Sequence, residues 1–282
     1  MTAVLGLDAA WTAGGTSGAA LAAKVDGRWQ YLAVAPGYGL FCDLAHGRIV
    51  EGGQWTAKPG GGGADAPALL QAAKVLLARA GCAGDVRAVA VDMPLAPTAL
   101  PGRRAADNLA AGALARYGCG VHSPVPERPG LLGAALTAAF AARGYPLAVA
   151  DGARPEPGLY EVYPHAELIA LQMEAGGVAR ADVRRCAYKA SRSTRYWPDV
   201  PKDGRIAFLL HNFEVIRDML GQVLGLPAIP LPAAEGMTLA GLKPFEDGLD
   251  ALACCAAGIR CLEGRARPLG DANGAIWIPK GI

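Results

Sequence analysis

Three aspartates stand far apart in the 282-residue chain, each where a carboxylate is costly unless something uses it. Asp8 closes the apolar run Ala3-Val4-Leu5-Gly6-Leu7, Asp92 closes Val89-Ala90-Val91, and Asp250 opens Ala251-Leu252-Ala253-Cys254-Cys255-Ala256-Ala257. A buried carboxylate with no partner is strongly unfavourable, so such groups are paired, protonated or metal-bound. An oxygen-rich cluster suits Mg²⁺ or Mn²⁺, which activate water and stabilise charge in phosphoryl transfer. Asp247 precedes Asp250 by one helical turn and shares its face, so both reach one ion or two neighbouring ions. Glu161, opening Glu161-Val162-Tyr163-Pro164, is a further candidate ligand. Each acid also has a plainer reading: an Asx turn for Asp8, a turn before Pro94 for Asp92, a helix cap for Asp247, a strand-end ion pair for Glu161.

These acids need elements to bring them together. Residues 3 to 8 are expected to form a buried strand, and residues 17 to 24 and 29 to 35 a hairpin across Val25-Asp26-Gly27-Arg28. Asp65 and Pro67 open a helix through Leu77 that Gly81 and Gly84 end, and Val86 to Val91 returns as a strand. Asp8 and Asp92 then fall at the carboxyl ends of two strands, where open α/β sheets hold ligands. Further helices are expected at about 130 to 143, Ile206 to Leu220 and Asp247 to Glu263, with strands at Gly158 to Tyr163, stopped by Pro164, and Ala275 to Pro279. Lys58-Pro59-Gly60-Gly61-Gly62-Gly63 is a connector; without a following Lys-Ser/Thr it is no Walker loop. Arg103 and Asp107, spaced i, i+4, are expected to pair on a helix surface. One elaborated domain is expected, with helical insertions around 100–145 and 165–225.

A phosphodiester substrate also requires a basic surface. Between positions 180 and 205, Lys189, Arg192, Arg195 and five other basic residues interleave with Tyr188, Tyr196 and Trp197. Cations of this kind pair with phosphates and aromatics stack on bases. The alternative is a solvated surface anchored by its aromatics. The four histidines are scattered; His122 and His165 are the first to consider as proton shuttles.

A formal charge of +2 excludes a general polyanion binder, so nucleic-acid contact has to come from a local patch. Seven cysteines without a Cys-x-x-Cys spacing fit reduced core thiols in a cytoplasmic protein. No signal segment and no bilayer-length apolar stretch is read from the sequence, and no membrane association is expected.

Taken in order, Gly6-Leu7-Asp8-Ala9-Ala10-Trp11, Val91-Asp92-Met93-Pro94-Leu95, Arg103 to Asp107, Glu161-Val162-Tyr163-Pro164, Asp247-Gly248-Leu249-Asp250-Ala251-Leu252 and Gly274 to Pro279 resemble a bacterial and archaeal family of predicted RNase H-like nucleases (domain of unknown function 429). The set spans essentially the whole chain. The resemblance implies an α/β RNase H-like fold: a mixed five-stranded sheet with three antiparallel strands first, flanked by helices. It also implies Asp8, Asp92 and Asp250 as catalytic metal ligands for Mg²⁺ or Mn²⁺, with Asp247 and Glu161 supplementary. A two-metal site with ions about 3.5–4 Å apart would cleave DNA or RNA, with Lys189, Arg192, Arg195 and Arg103 binding the substrate. Two rivals share parts of this pattern. One is a non-catalytic nucleic-acid-binding or scaffold protein of the same fold. The other is an ATP-binding protein of the actin, heat-shock chaperone and sugar-kinase superfamily, whose first phosphate loop Gly6-Leu7-Asp8 through Thr16 resembles but whose second phosphate hairpin and adenosine motif are missing.

Overall fold

The structure, a computed structural model, describes residues 2–282 apart from 13, 51, 57–63, 178 and 226–228. The expected connector Lys58 to Gly63 lies outside the described residues. In chain order the strands and α-helices are β1 (Thr2–Asp8), β2 (Gly18–Val25), β3 (Arg28–Ala35), α1 (Tyr38–Ala45), α2 (Gly52–Thr56), α3 (Ala66–Arg79), β4 (Asp85–Asp92), α4 (Ala105–Leu114), α5 (Leu132–Ala141), β5 (Gly158–Val162), α6 (Pro164–Ala175), α7 (Ser193–Tyr196), α8 (Lys202–Leu224), α9 (Lys243–Leu262), β6 (Ala266–Asp271) and β7 (Gly274–Pro279). No helix among the described residues is long and apolar enough to cross a membrane.

The strands form one mixed sheet of order β3-β2-β1-β4-β5-β7-β6. It has seven strands, not the five that the resemblance implies, although the terminal strand expected at Ala275 to Pro279 is present as β7. The two additional strands follow from the carboxyl-terminal hairpin: β7 adds in parallel to β5, and β6 pairs antiparallel with β7 at the sheet edge. Pro268 lies inside β6, and a proline within a run argues against a central strand but is tolerated at an edge. β1 is antiparallel to β2 and parallel to β4, with Asp8 opposite Asp92 in the register.

β1 is apolar along its length because helices cover both faces of the sheet. Ala3, Leu5 and Leu7 join a core with Leu69, Leu77 and Phe41 from α3 and α1. Val4 points the other way, into a core with Leu252, Cys254 and Cys255 of α9 and Phe213 of α8. This alternation is the period-2 pattern of a strand buried twice over.

The packing of α9 on β1 and β2 decides where the site forms, and it depends on missing side chains. A Cβ at Gly6 would lie 2.7 Å from the Cys255 backbone nitrogen, and one at Gly18 would lie 2.6 Å from the Asp247 carbonyl carbon. A Cβ at Gly258, on the helix side, would lie 2.6 Å from Val4 Cγ1. With hydrogens there instead, the α9 backbone rests directly on the sheet. The thiols of Cys254 and Cys255 fill the seam as weak donors to the Leu7 and Ala20 carbonyls at 3.5 and 3.3 Å.

Local signals explain most boundaries. Asp65 caps α3, its side chain accepting from the Ala68 N–H at 3.2 Å, with proline in the first turn. α9 begins one turn earlier than the expected Asp247, because Pro244 sits in its first turn, where a missing N–H costs nothing. Asp247 is therefore inside the helix and does not cap it. Pro164, expected as a stop, does end β5 and also opens α6 for the same reason.

Candidate metal centre

The carboxyl ends of β1 and β4 point toward the first two turns of α9. Carboxylate oxygens of Asp8, Asp247 and Asp250 lie within 4.8 Å of one another, close enough for one cation to touch all three. Asp247 and Asp250 are fully enclosed, and Asp8 is partly open. Asp92 stands on the neighbouring strand outside this trio. Its carboxylate faces the adjoining cavity and receives no hydrogen bond among the described residues.

Two lysines neutralise part of this charge. Lys243, in the first turn of α9, bonds to Asp247 Oδ1 and to Glu246 Oε1, the latter at 3.0 Å. Lys189 reaches in from the loop before α7, bonding to Asp250 Oδ2 and lying 3.4 Å from Glu246 Oε1. The Tyr188 hydroxyl donates to Asp250 Oδ1 at 2.5 Å, and the Ala190 N–H donates to Glu246 Oε2 at 2.9 Å. Five carboxylates (Asp8, Asp92, Asp247, Asp250, Glu246) thus meet two ammonium groups.

The excess negative charge shows in the acidities. Burial first, then Asp247 and Asp250, push Asp8 well above the usual carboxylate range. Burial and the nearby Asp250 carboxylate raise Asp92 to about 7. Asp247 is raised too, by burial, with Lys243 opposing. Such clustering disfavours full ionisation unless a further cation enters.

One atom speaks directly to that cation. Asp247 Oδ2 is buried and no donor among the described residues meets it in good hydrogen-bonding geometry, although the Thr16 hydroxyl and the Asp8 carboxyl lie beside this carboxylate. A buried carboxylate oxygen without a donor is uncommon in a folded protein. It belongs to the trio, so hard oxygen donors, convergence and an orphaned lone pair together fit a divalent cation such as Mg²⁺ or Mn²⁺.

The other residues singled out from sequence are distributed differently. Glu161 is held by Arg104 through both oxygens, at 2.5 and 2.7 Å, and accepts from the Leu95 N–H at 2.8 Å. It is a structural anchor between β5 and the loop after β4, already satisfied by a guanidinium. The expected Arg103–Asp107 pair does not form: Asp107 bonds to Arg104 at 2.7 Å, while Arg103 turns to Asn108 at 2.6 Å and the Asp107 carbonyl at 3.1 Å. Spacing could not distinguish adjacent arginines. Arg103 and Arg195 are exposed and lie off the cavity wall, whereas Arg192 and Lys189 line it. Lys189, expected to meet substrate, is committed to Asp250. His122 and His165 also line this cavity. Sequence reasoning passed over Lys243 and Glu246, although Lys243-x-x-Glu246-Asp247-x-x-Asp250 already repeats at helical spacing. It also passed over Arg128, which carries no distinguishing local pattern, and read Arg104 and Arg185 only as members of the Arg103 to Asp107 motif and of the basic segment between 180 and 205.

Fold and site together define an α/β protein whose mixed, helix-flanked sheet presents an acidic site at its strand ends. The chain belongs to the family described as Protein of unknown function (DUF429), which it matches over residues 49–273. No curated protein and no solved structure matches it. The family match contains Asp92, Glu161, Lys189, Asp247 and Asp250; Asp8 on β1 and the strand β7 lie outside it.

Proposed function

We propose that this protein is a metal-dependent phosphodiesterase acting on nucleic acid, with an RNase H-like arrangement of β1 to β5. The observation that carries the reading is the convergence of Asp8, Asp247 and Asp250, with a buried, unpartnered oxygen on Asp247. The strand order β3-β2-β1-β4-β5 and the acids at the ends of β1 and β4 and on the helix crossing them support it.

Asp8, Asp247 and Asp250 would hold the cation, and Asp92 would face the substrate side. Mg²⁺ or Mn²⁺ bound there would generate a nucleophilic water near neutral pH and stabilise charge on the leaving oxygen. Tyr188 and Lys189 orient Asp250, one on each of its carboxylate oxygens. Asp92, raised to about 7, is suited to take up a proton from an attacking water. Lys189 and Lys243 balance the carboxylates and limit repulsion of an incoming phosphate.

Purified protein incubated with single- and double-stranded DNA and RNA is expected to cleave at least one form with Mg²⁺ or Mn²⁺ and none with EDTA. Asp250→Asn should lower the rate by at least about a hundredfold, the scale of a lost transition-state interaction. A salt-dependent affinity with no cleavage of any form would favour a binding module instead.

A further inference from the structure

Beyond Asp92 the acidic site opens into a cavity of about 360 Å³ whose lining combines acids, with Asp107 and Glu161 already paired to Arg104 and Glu246 to lysines, and basic side chains. Arg128, Arg185 and Arg192 line it. Arg192 donates to His122 Nε2 at 2.8 Å, Arg128 lies 5.6 Å from the Trp11 ring centre, and Arg185 lies 5.4 Å from that of Tyr196. Among the described residues, none of these guanidinium groups has a carboxylate within ion-pair distance. By contrast, Arg104 and Arg260, elsewhere in the fold, each bind two. Cations left without counter-ions in the lining of a cavity mark an anion site, and the guanidinium fork matches phosphate oxygens.

A second feature also points into this cavity. The side chain of His165 lines it, is only 7% exposed, and has an Nδ1 with no hydrogen-bond partner. Tyr163 and Tyr188 fix its ring by edge-on contacts at 5.5 and 5.2 Å. Burial and the surrounding Lys189 and Arg185 hold this imidazole neutral, so it adds no charge to the cavity wall. Trp11 gives the same cavity an aromatic wall, at 6.2 Å edge-on from His122.

We infer that this cavity binds a single phosphate-terminated nucleotide, the phosphate on Arg128, Arg185 and Arg192 and the base against Trp11. The inference rests on the nuclease reading and narrows its substrate to strands presenting an end, or to free mononucleotides. The volume is at the small end of ligand sites and matches one nucleotide-sized group. Aromatic stacking tolerates any base, so end recognition and not sequence sets the selectivity.

Adenosine 5′-monophosphate titrated calorimetrically into the full chain in EDTA tests this. It should bind at least about tenfold tighter than adenosine. Arg128→Gln and Arg192→Gln should each weaken it at least about fivefold, and Arg192→Lys less, since a lysine keeps the charge but loses the fork. A 5′-phosphorylated oligonucleotide should displace the nucleotide, and a closed circular strand of the same sequence should not. Equal binding of adenosine, equal displacement by the circle, or unchanged binding in an Arg192→Gln protein of wild-type melting temperature would each overturn the inference; the first two need no variant. A parallel Mn²⁺ titration separates the two readings. Mn²⁺ binding without nucleotide binding removes the pocket and spares the metal site, whereas nucleotide binding without Mn²⁺ binding supports the pocket and removes the hydrolytic reading on which it was built.

Discussion

At the scale of single residues, the acidic site stores repulsion that a cation relieves. Asp8 and Asp92 keep protons in the folded, metal-free protein at pH values where the unfolded chain has released them. For Asp92 the window runs from its ordinary 3.8 to about 7. Since the native state binds more protons there, metal-free stability falls as pH rises through the window. Divalent-cation binding displaces those protons, so affinity rises over the same range. The Mn²⁺-induced rise in melting temperature is therefore expected to be larger at about pH 8 than at about pH 5.5. A shift independent of pH would contradict the assignment of the acids. Asp8→Asn removes one member of the repelling set: without metal it should melt about 2 °C or more above wild type, and it should lose most of the Mn²⁺ response. Arg104→Ala acts in the opposite sense. It strands Glu161, only 3% exposed, and should cost about 3–5 kcal/mol in urea unfolding, the penalty for orphaning a buried charge.

At the scale of elements, α9 is the part that assembles the centre. Its approach to β1 and β2 depends on Gly6, Gly18 and Gly258, none of which has space for a methyl group. Gly6→Ala should cost about 1–3 kcal/mol by overpacking, and by moving the first turns of α9 it should weaken Mn²⁺ binding although no ligand is altered. Destabilisation with unchanged Mn²⁺ affinity would separate the helix position from the site. The same helix shows what could be read from sequence. The carboxylates at Asp8 and Asp92 were legible because each ends an apolar run, and the hairpin, α3 and β4 followed from period and turn residues. The start of α9 was not, because Asp247 looked like a cap while Pro244, three residues after Gly241, already marked the first turn. β6 was hidden by Pro268, and α6 by the double meaning of Pro164 as stop and start. Arg103 and Arg104 were indistinguishable by spacing, since the choice of partner for Asp107 depends on Glu161, remote in sequence.

At the scale of the whole molecule, a chain of formal charge +2 separates its charges by place. Acids gather where β1 and β4 meet α9, and arginines without counter-ions line the cavity next to them. A net charge this small gives little long-range attraction for a polyanion, so recognition has to be short-ranged and local. A cation that binds only the folded chain stabilises it by mass action, about 2.7 kcal/mol at a hundred times Kd. Calorimetric titration of the wild type and of Asp250→Asn with Mn²⁺, at about pH 8, the end of the range where cation binding is expected to be stronger, bears most directly on the central claim. The account predicts saturable binding to the wild type with release of protons, and its loss in Asp250→Asn while the fold, followed by circular dichroism, is retained. Absence of binding to the wild type, or equal binding by the variant, would contradict it.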